Sequence, residues 1–102
     1  MLKVRLTEAA ERDLADIEDF LAVEASDTVA DRVVSEIITA AQNLCRFPLA
    51  GSVRPNLARD VRVIFHGSYG VYYRNLDDAI VVLRVLHGAR DVAALAKRVG
   101  IG

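Results

Sequence analysis

The chain has 102 residues, 53% hydrophobic and 26% charged, which fits a single folded domain over residues 1–102 and excludes intrinsic disorder. One cysteine, Cys45, excludes a disulfide framework and a thiolate zinc cluster. The net charge of −1 hides an uneven distribution, because residues 1–45 carry ten acids and four bases whereas residues 46–102 carry four acids and nine bases. This asymmetry suggests a surface for an acidic or polyanionic partner.

The N-terminal half predicts a strand and two amphipathic helices. Apolar and polar residues alternate over residues 2–6, which is typical of a short strand with one buried face. Thr7 is placed to cap the first helix, and Ser26 or Asp27 the second. Each helix carries an apolar stripe, and we expect the second helix to continue until Pro48. The short link between them predicts an antiparallel hairpin.

The second half predicts a surface loop and three strands. Residues 46–60 hold both prolines and three arginines, which suggests an ordered and functional loop. Strands are predicted over residues 61–65, 69–74 and 79–86, and a short C-terminal helix over residues 91–99. The last strand is apolar on both faces apart from one arginine. We therefore expect it to be a central strand of the sheet whose faces are covered by other parts of the chain. The predicted fold is α+β, ordered β-α-α-β-β-β with a short terminal helix, and its helix hairpin packs on a mainly antiparallel sheet.

The charged and aromatic side chains have structural interpretations beside functional ones. Arg84 lies in an apolar strand and needs an acidic partner, for which an acid of the first helix is favoured over a bound one. We interpret His87 as a corner residue that binds backbone, His66 as a solvated turn residue, and the three tyrosines mainly as packing residues. Three acids of the first helix, Asp13, Asp16 and Asp19, are spaced three residues apart. We interpret them as part of a solvated helix face rather than as a cation site. We expect no metal and no cofactor.

Metal-free RNA cleavage is the catalytic alternative that these residues must be tested against. It needs a base, an acid and cationic groups that converge on one phosphate. Arg62, Arg84 and His87 are the available groups, but Arg84 and His87 are an odd number of positions apart and point to opposite faces unless a bulge intervenes. We therefore expect no catalytic residues in this chain.

Four segments of this chain resemble the ParE/RelE superfamily of toxins from bacterial type II toxin–antitoxin systems. They are RLTEAAERDLADIEDFLA, the loop with FPLAG, RVIFHGSYGVYYR and IVVLRVLHGARD, and the last of these is most similar to the ParE branch. The resemblance implies a RelE-like fold in the cytoplasm, inhibition of DNA gyrase, a role in plasmid stabilisation, and neutralisation by a ParD-like antitoxin. That antitoxin would be a ribbon-helix-helix protein with a C-terminal tail. Contact with DNA would be only indirect, and no membrane would be involved.

The RelE branch, whose members cut messenger RNA on the ribosome, remains the alternative. A third interpretation is an inert homologue that still binds its antitoxin. The RelE branch depends on a dense basic set that includes lysines, whereas residues 46–60 contain arginine but no lysine. We expect residues 91–102 to engage gyrase, as the ParE resemblance implies. The expected contacts to antitoxin or target are Arg62, Arg74, Arg84, His87, Arg90 and Asp91.

Overall fold

Two helices pack on a five-stranded mixed sheet, which confirms the predicted α+β fold. The structure is a computed structural model, and it describes residues 2–88. The predicted helix at residues 91–99 lies outside the described residues. None of the described helices is long and apolar enough to span a membrane. The elements are β1 (Lys3–Leu6), α1 (Glu8–Glu24), α2 (Asp27–Asn43), β2 (Ser52–Val53), β3 (Arg62–His66), β4 (Tyr69–Asn75) and β5 (Ala79–His87).

Both helices begin where the sequence predicts, and a hydroxyl caps each of them. The Thr7 side chain accepts a hydrogen bond from the Ala10 N–H, and Ser26, rather than Asp27, accepts one from the Val29 N–H, both at 3.1 Å. Each cap satisfies an amide that has no partner inside the helix. The Thr7 hydroxyl also donates to a carbonyl of β5, which fixes the start of α1 against the sheet.

The expectation that α2 continues to Pro48 is wrong, because the helix ends at Asn43. The amide N–H groups of residues 44–46 bind carbonyls only three positions earlier, so the chain tightens into a turn of 3₁₀ type. The backbone has therefore left the α-helical path before the proline can terminate it. This early end frees residues 46–51 to form a separate turn beside the sheet.

The strand order is β1-β5-β4-β3-β2. Among the described strands only β1 and β5 are parallel, and the remaining pairs are antiparallel, so the sheet is mainly antiparallel as predicted. The interior position predicted for the last strand is also confirmed, since β5 lies between β1 and β4. The predicted loop 46–60 contains one unpredicted element, β2, whose two residues pair with β3 at the sheet edge. A two-residue strand is too short to show an alternating pattern.

A β-bulge in β5 changes which face its side chains occupy. Tyr73 pairs with Val82 and Tyr72 pairs with Arg84, so Leu83 has no partner on β4. The regular alternation of side chains between the two faces is therefore interrupted at Leu83. Val82 and Val85 both pack in the core beneath the helices, although an odd number of positions separates them.

The sheet has an apolar core on each face. Alternation along β4 separates them, with Tyr69, Val71 and Tyr73 toward the helices and Tyr72 on the other face. Burial of each large aliphatic side chain contributes roughly 1.5–3 kcal/mol, so both faces stabilise the sheet. The buried residues of the helix-side core are Ala10, Leu14, Ile37, Ala41, Leu44, Val71, Tyr73, Ile80, Val82 and Val85, and those of the other face are Val61, Val63, Tyr72 and Leu86.

The charge asymmetry of the sequence corresponds to two regions of the fold. All ten acids of residues 1–45 lie in α1 and α2, and eight of them are exposed. The other two, Asp13 and Glu36, are partly buried and face basic side chains of the sheet. The outer surface of the helix hairpin is therefore acidic, while the described arginines of residues 46–88 lie on the sheet and its preceding loop.

Candidate partner-binding site

Arg84 is held by an acid of the first helix, as the sequence analysis favoured. Its Nε and one terminal nitrogen donate to the two carboxylate oxygens of Asp13, at 2.8 and 3.0 Å. The same carboxylate accepts a third bond, at 2.9 Å, from the backbone N–H of Val85. The solvated helix face expected for Asp13 is therefore wrong, because its side chain is only 13% exposed.

The bulge and the end of β1 explain why Asp13 is needed. The pairing of β1 with β5 ends at Val82, so the Val85 N–H lies on a part of β5 that β1 does not cover. Asp13 supplies the acceptor there and neutralises the neighbouring guanidinium. An unpaired amide or charge at such a position would be costly, so Arg84 has a clear structural role.

Arg62 and Tyr73 together hold the turn that follows α2. One terminal nitrogen of Arg62 donates to the carbonyls of Leu49 and Gly51, at 3.3 and 2.8 Å. The buried Tyr73 hydroxyl donates to the Pro48 carbonyl at 2.9 Å and accepts from the Gly51 N–H at 2.8 Å. Four hydrogen bonds from the sheet therefore fix the backbone of residues 48–51.

Arg74 lies apart from Arg62. Arg62 is the register partner of Tyr73, and Arg74 is the next residue along β4, so the two arginines point to opposite faces of the sheet. Arg74 donates to the Arg59 carbonyl at 3.3 Å in an exposed position. The structure therefore does not gather the predicted arginines of β3, β4 and β5 into one basic patch.

The two histidines lie in one row at the end of the sheet, and both pair in register with Tyr69. The His87 ring packs edge-on against the Tyr69 ring, with centroids 5.4 Å apart. His66 is not the solvated turn residue that we expected, because its Nε2 lies 3.0 Å from Glu36 of α2. This pair borders a shallow pocket of about 370 Å³ that residues of α2 and His66 of β3 line.

The catalytic constellation considered above is not assembled in the described part of the chain. His87 pairs with Tyr69 and packs against its ring, whereas Arg84 pairs with Tyr72 and its guanidinium is bound by Asp13 of α1. No three His, Cys, Asp or Glu side chains among residues 2–88 are grouped so that they could hold a metal ion. Two of the predicted contact residues, Arg90 and Asp91, lie outside the described residues, and the contact roles of all six remain predictions.

Burial affects the acidity of the two buried tyrosines. Burial raises the pKa of Tyr72 above its usual value of 10.0, and the positive charge of Arg54 opposes this only in part. Burial likewise raises the pKa of Tyr73, against the smaller effects of the Gly51 N–H and the charge of Arg62. Both phenols therefore favour the neutral, hydrogen-bonding form in the folded protein.

We expect the free energy of unfolding to fall as pH rises above 10, because the unfolded chain releases these phenolic protons before the folded one does. The stabilisation is fully present below pH 10 and is lost as pH rises through the raised values. Urea unfolding between pH 8 and 11 measures the loss. Tyr73→Phe removes one of the two groups and should flatten the dependence. An identical pH dependence for this variant would contradict the assignment.

Sequence reasoning missed an exposed apolar surface in residues 46–54. Phe47 and Leu49 are 64% and 63% exposed, and Val53 of β2 is 48% exposed. The sequence marked this region only as an ordered loop. The available signal was that large apolar residues alternate there with arginine, proline and glycine and that no acid is present. Apolar residues that remain exposed on an ordered backbone often mark an interaction site.

Comparison with known proteins identifies relatives of the chain. Residues 4–92 match the model of a family described as the ParE toxin of the type II toxin–antitoxin system parDE. The fold is similar to a chain in the chromosomal ParDE toxin–antitoxin system of P. aeruginosa, with a TM-score of 0.75 and 23% identity over 86% of this chain and 97% of that chain. It is also similar to a chain of the RelBE2 toxin–antitoxin complex of Mycobacterium tuberculosis, with a TM-score of 0.63 and 30% identity over 84% and 96%. No curated protein matches.

Proposed function

We propose that this chain, which belongs to the ParE toxin family of type II toxin–antitoxin systems, inhibits DNA gyrase by binding to it and is neutralised by a ParD-like antitoxin. Its place of action would be the cytoplasm, and its cellular role would include plasmid stabilisation. The antitoxin would be a ribbon-helix-helix protein whose C-terminal tail covers part of the toxin. The toxin itself would contact DNA only through gyrase or the antitoxin.

The observation that supports a binding mechanism is that basic side chains on β3 and β5 are engaged in contacts within the chain. Arg84 is engaged with Asp13, and Arg62 holds the turn at residues 48–51. His87 packs against the Tyr69 ring, so the contacts of Arg62, Arg84 and His87 lie at three different places and do not converge on a single phosphate. An inhibitor that works by binding needs no such convergence, whereas RNA cleavage does.

An antitoxin partner is supported by the two similar structures, both of which are described as toxin–antitoxin systems or complexes. The charge distribution supports the same partner, since the arginines of the sheet and loop suit an acidic tail. A tail that folds on binding is able to wrap a large surface at a modest affinity per unit area. The acidic helices would repel nucleic acid and restrict the partner to the other side of the molecule.

A RelE-like endoribonuclease that acts on ribosome-bound messenger RNA is the second candidate. The observation in its favour is the 30% identity to a chain of the RelBE2 complex. It would need a base, an acid and cations from groups other than the Arg84 and His87 pair. Cleavage of messenger RNA on translating ribosomes by the purified chain would establish it.

A gyrase supercoiling assay tests the proposed function directly. We expect the purified chain to block supercoiling of relaxed plasmid and to leave relaxation by topoisomerase I unaffected. Addition of the antitoxin should restore supercoiling. A normal supercoiling reaction at saturating toxin would refute gyrase inhibition, and messenger RNA cleavage in a parallel translation reaction would replace it with the second candidate.

A further inference from the structure

The segment from Arg46 to Arg54, which we call the arginine–apolar loop, forms a surface with a distinct chemistry. Phe47, Leu49 and Val53 expose about half or more of their surface there. The Arg46 guanidinium lies 5.9 Å from the centroid of the Phe47 ring. Residues 44–59 contain three arginines and no acid, so this apolar surface has a positively charged border.

The backbone of the arginine–apolar loop is ordered although its apolar side chains point outward. Arg62 and the Tyr73 hydroxyl hold residues 48–51 from the sheet side, and the Ala50 N–H binds the Phe47 carbonyl at 3.0 Å within the turn. Beyond it, the Arg54 N–H binds the Val61 carbonyl at 2.8 Å. The conformational entropy of the loop backbone is therefore lost during folding, so a partner that binds here does not have to order this backbone.

The neighbouring sheet edge favours an extended partner. β2 is the outermost strand and has two residues, and these pair only with Val63 and Arg62 of β3. Within the described part of the chain, residues 64–66 of β3 have no neighbouring strand on that side. The uncovered edge of β3 at residues 64–66 is able to accept an added strand through main-chain hydrogen bonds.

We propose that the arginine–apolar loop is the docking site for an acidic, extended antitoxin segment that carries apolar side chains. The inference rests on the antitoxin partner of the proposed function, and it assigns that partner a surface. Phe47 and Leu49 bury the apolar side chains of the segment, and Arg46 and Arg54 attract its acids. Arg62 acts as a positioning residue, because its guanidinium binds the loop carbonyls.

The surface chemistry favours such a segment over nucleic acid. Two large apolar side chains and Val53 occupy its centre, whereas nucleic-acid surfaces depend mainly on cations that reach phosphates. Two of the nearby guanidinium groups donate to backbone carbonyls of this same region, Arg54 to Val53 and Arg62 to Leu49 and Gly51. An acidic peptide with apolar residues complements both the centre and the border.

The test compares two double variants of exposed apolar residues. Phe47→Ala with Leu49→Ala removes the centre of the loop surface, and Phe20→Ala with Val23→Ala removes residues of similar or greater exposure, 60% and 84%, from the acidic helix α1. The probe is the full-length ParD-like antitoxin of the proposed function, titrated by calorimetry. We expect the loop variant to bind roughly 30-fold or more weakly, as for truncation of central interface anchors, and the helix variant to bind within about twofold of the original chain.

A charge variant gives an independent readout. Arg46→Gln should slow association and weaken its salt dependence, whereas Arg32→Gln on the acidic side should not, because border charges act mainly on the encounter. Thermal unfolding of every variant checks that the fold is unchanged, which the exposure of these residues predicts. Equal antitoxin affinity of the loop variant and the original chain would overturn the proposal.

The remaining outcomes separate this proposal from the proposed function. A chain that leaves gyrase active but binds antitoxin through the loop refutes gyrase inhibition and supports the docking site. A loop variant that loses gyrase inhibition while it retains antitoxin affinity assigns the loop to gyrase and overturns the docking site. Failure of the original chain to bind the antitoxin contradicts both the docking site and the antitoxin part of the proposed function.

Discussion

Replacement of Asp13 by alanine is expected to lower the free energy of unfolding by about 3 kcal/mol, the lower end for a broken buried ion pair, since the pair is partly exposed. The carboxylate accepts two bonds from Arg84 and one from the Val85 N–H. Its loss removes the countercharge of a guanidinium whose side chain is only 26% exposed. It also leaves the amide beside the β-bulge without its acceptor. Urea unfolding monitored by circular dichroism measures the change.

Asp16→Ala provides the matched control. It removes the same charge from the same helix, but Asp16 is exposed, and we expect a change below about 0.5 kcal/mol. The exposed pair of Arg12 with Glu8, with 3.8 Å between Nη2 and Oε1, should contribute equally little. A loss below about 1 kcal/mol in Asp13→Ala, close to the small loss expected for Asp16→Ala, would show that the carboxylate is dispensable.

The elements of this fold could be predicted because each leaves a periodic signal in the sequence. The helix starts follow from Thr7 and Ser26, whose hydroxyls cap the first turns. The alternation on β4 places Tyr72 on one face and Tyr73 on the other, and both are buried as packing residues. These features depend on neighbours within a few positions along the chain, and such local preferences can be read directly.

The exceptions depend on contacts between distant parts of the chain. The β-bulge at Leu83 occurs where the Val85 N–H meets Asp13, 72 positions earlier in the sequence. No sequence pattern within β5 predicts that contact. The partner of Arg84 could be narrowed to an acid of α1 from the chemistry of a buried charge, but the particular acid required the crossing geometry of helix and strand.

The candidate site was harder to predict than the fold for a related reason. The charge pattern indicated arginines as the contact residues, yet Arg62 and Arg84 hold local structure in the described protein. What the charge pattern did not reveal was the exposure of Phe47 and Leu49. An apolar residue in a sequence is ordinarily assigned to the core, and only the early end of α2 leaves these two outside it.

Replacement of Gly51 by alanine is expected to destabilise the protein by about 3 kcal/mol, because overpacking alone costs roughly 1–3 kcal/mol and a buried hydrogen bond is strained in addition. A Cβ atom at this position would lie 2.6 Å from the Tyr73 hydroxyl oxygen, 2.7 Å from Cε1 of the same ring and 2.9 Å from the Val63 carbonyl oxygen. The ring is fully buried and the carbonyl belongs to β3, so neither contact is relieved without a shift of the sheet or the turn.

Two further variants separate this packing conflict from a general effect of adding a methyl group. Gly67 has open space around it but a φ of +57°, so Gly67→Ala should cost only about 1 kcal/mol of backbone strain. In a Tyr73→Phe background the hydroxyl contact is absent, and Gly51→Ala should then cost less than in the original chain, although the contacts with Cε1 and Val63 persist. Urea unfolding of the four members of this cycle measures the coupling. Strictly additive losses would mean that the Tyr73 hydroxyl does not set the packing limit at Gly51, and the rigid turn that presents Phe47 and Leu49 would need another explanation.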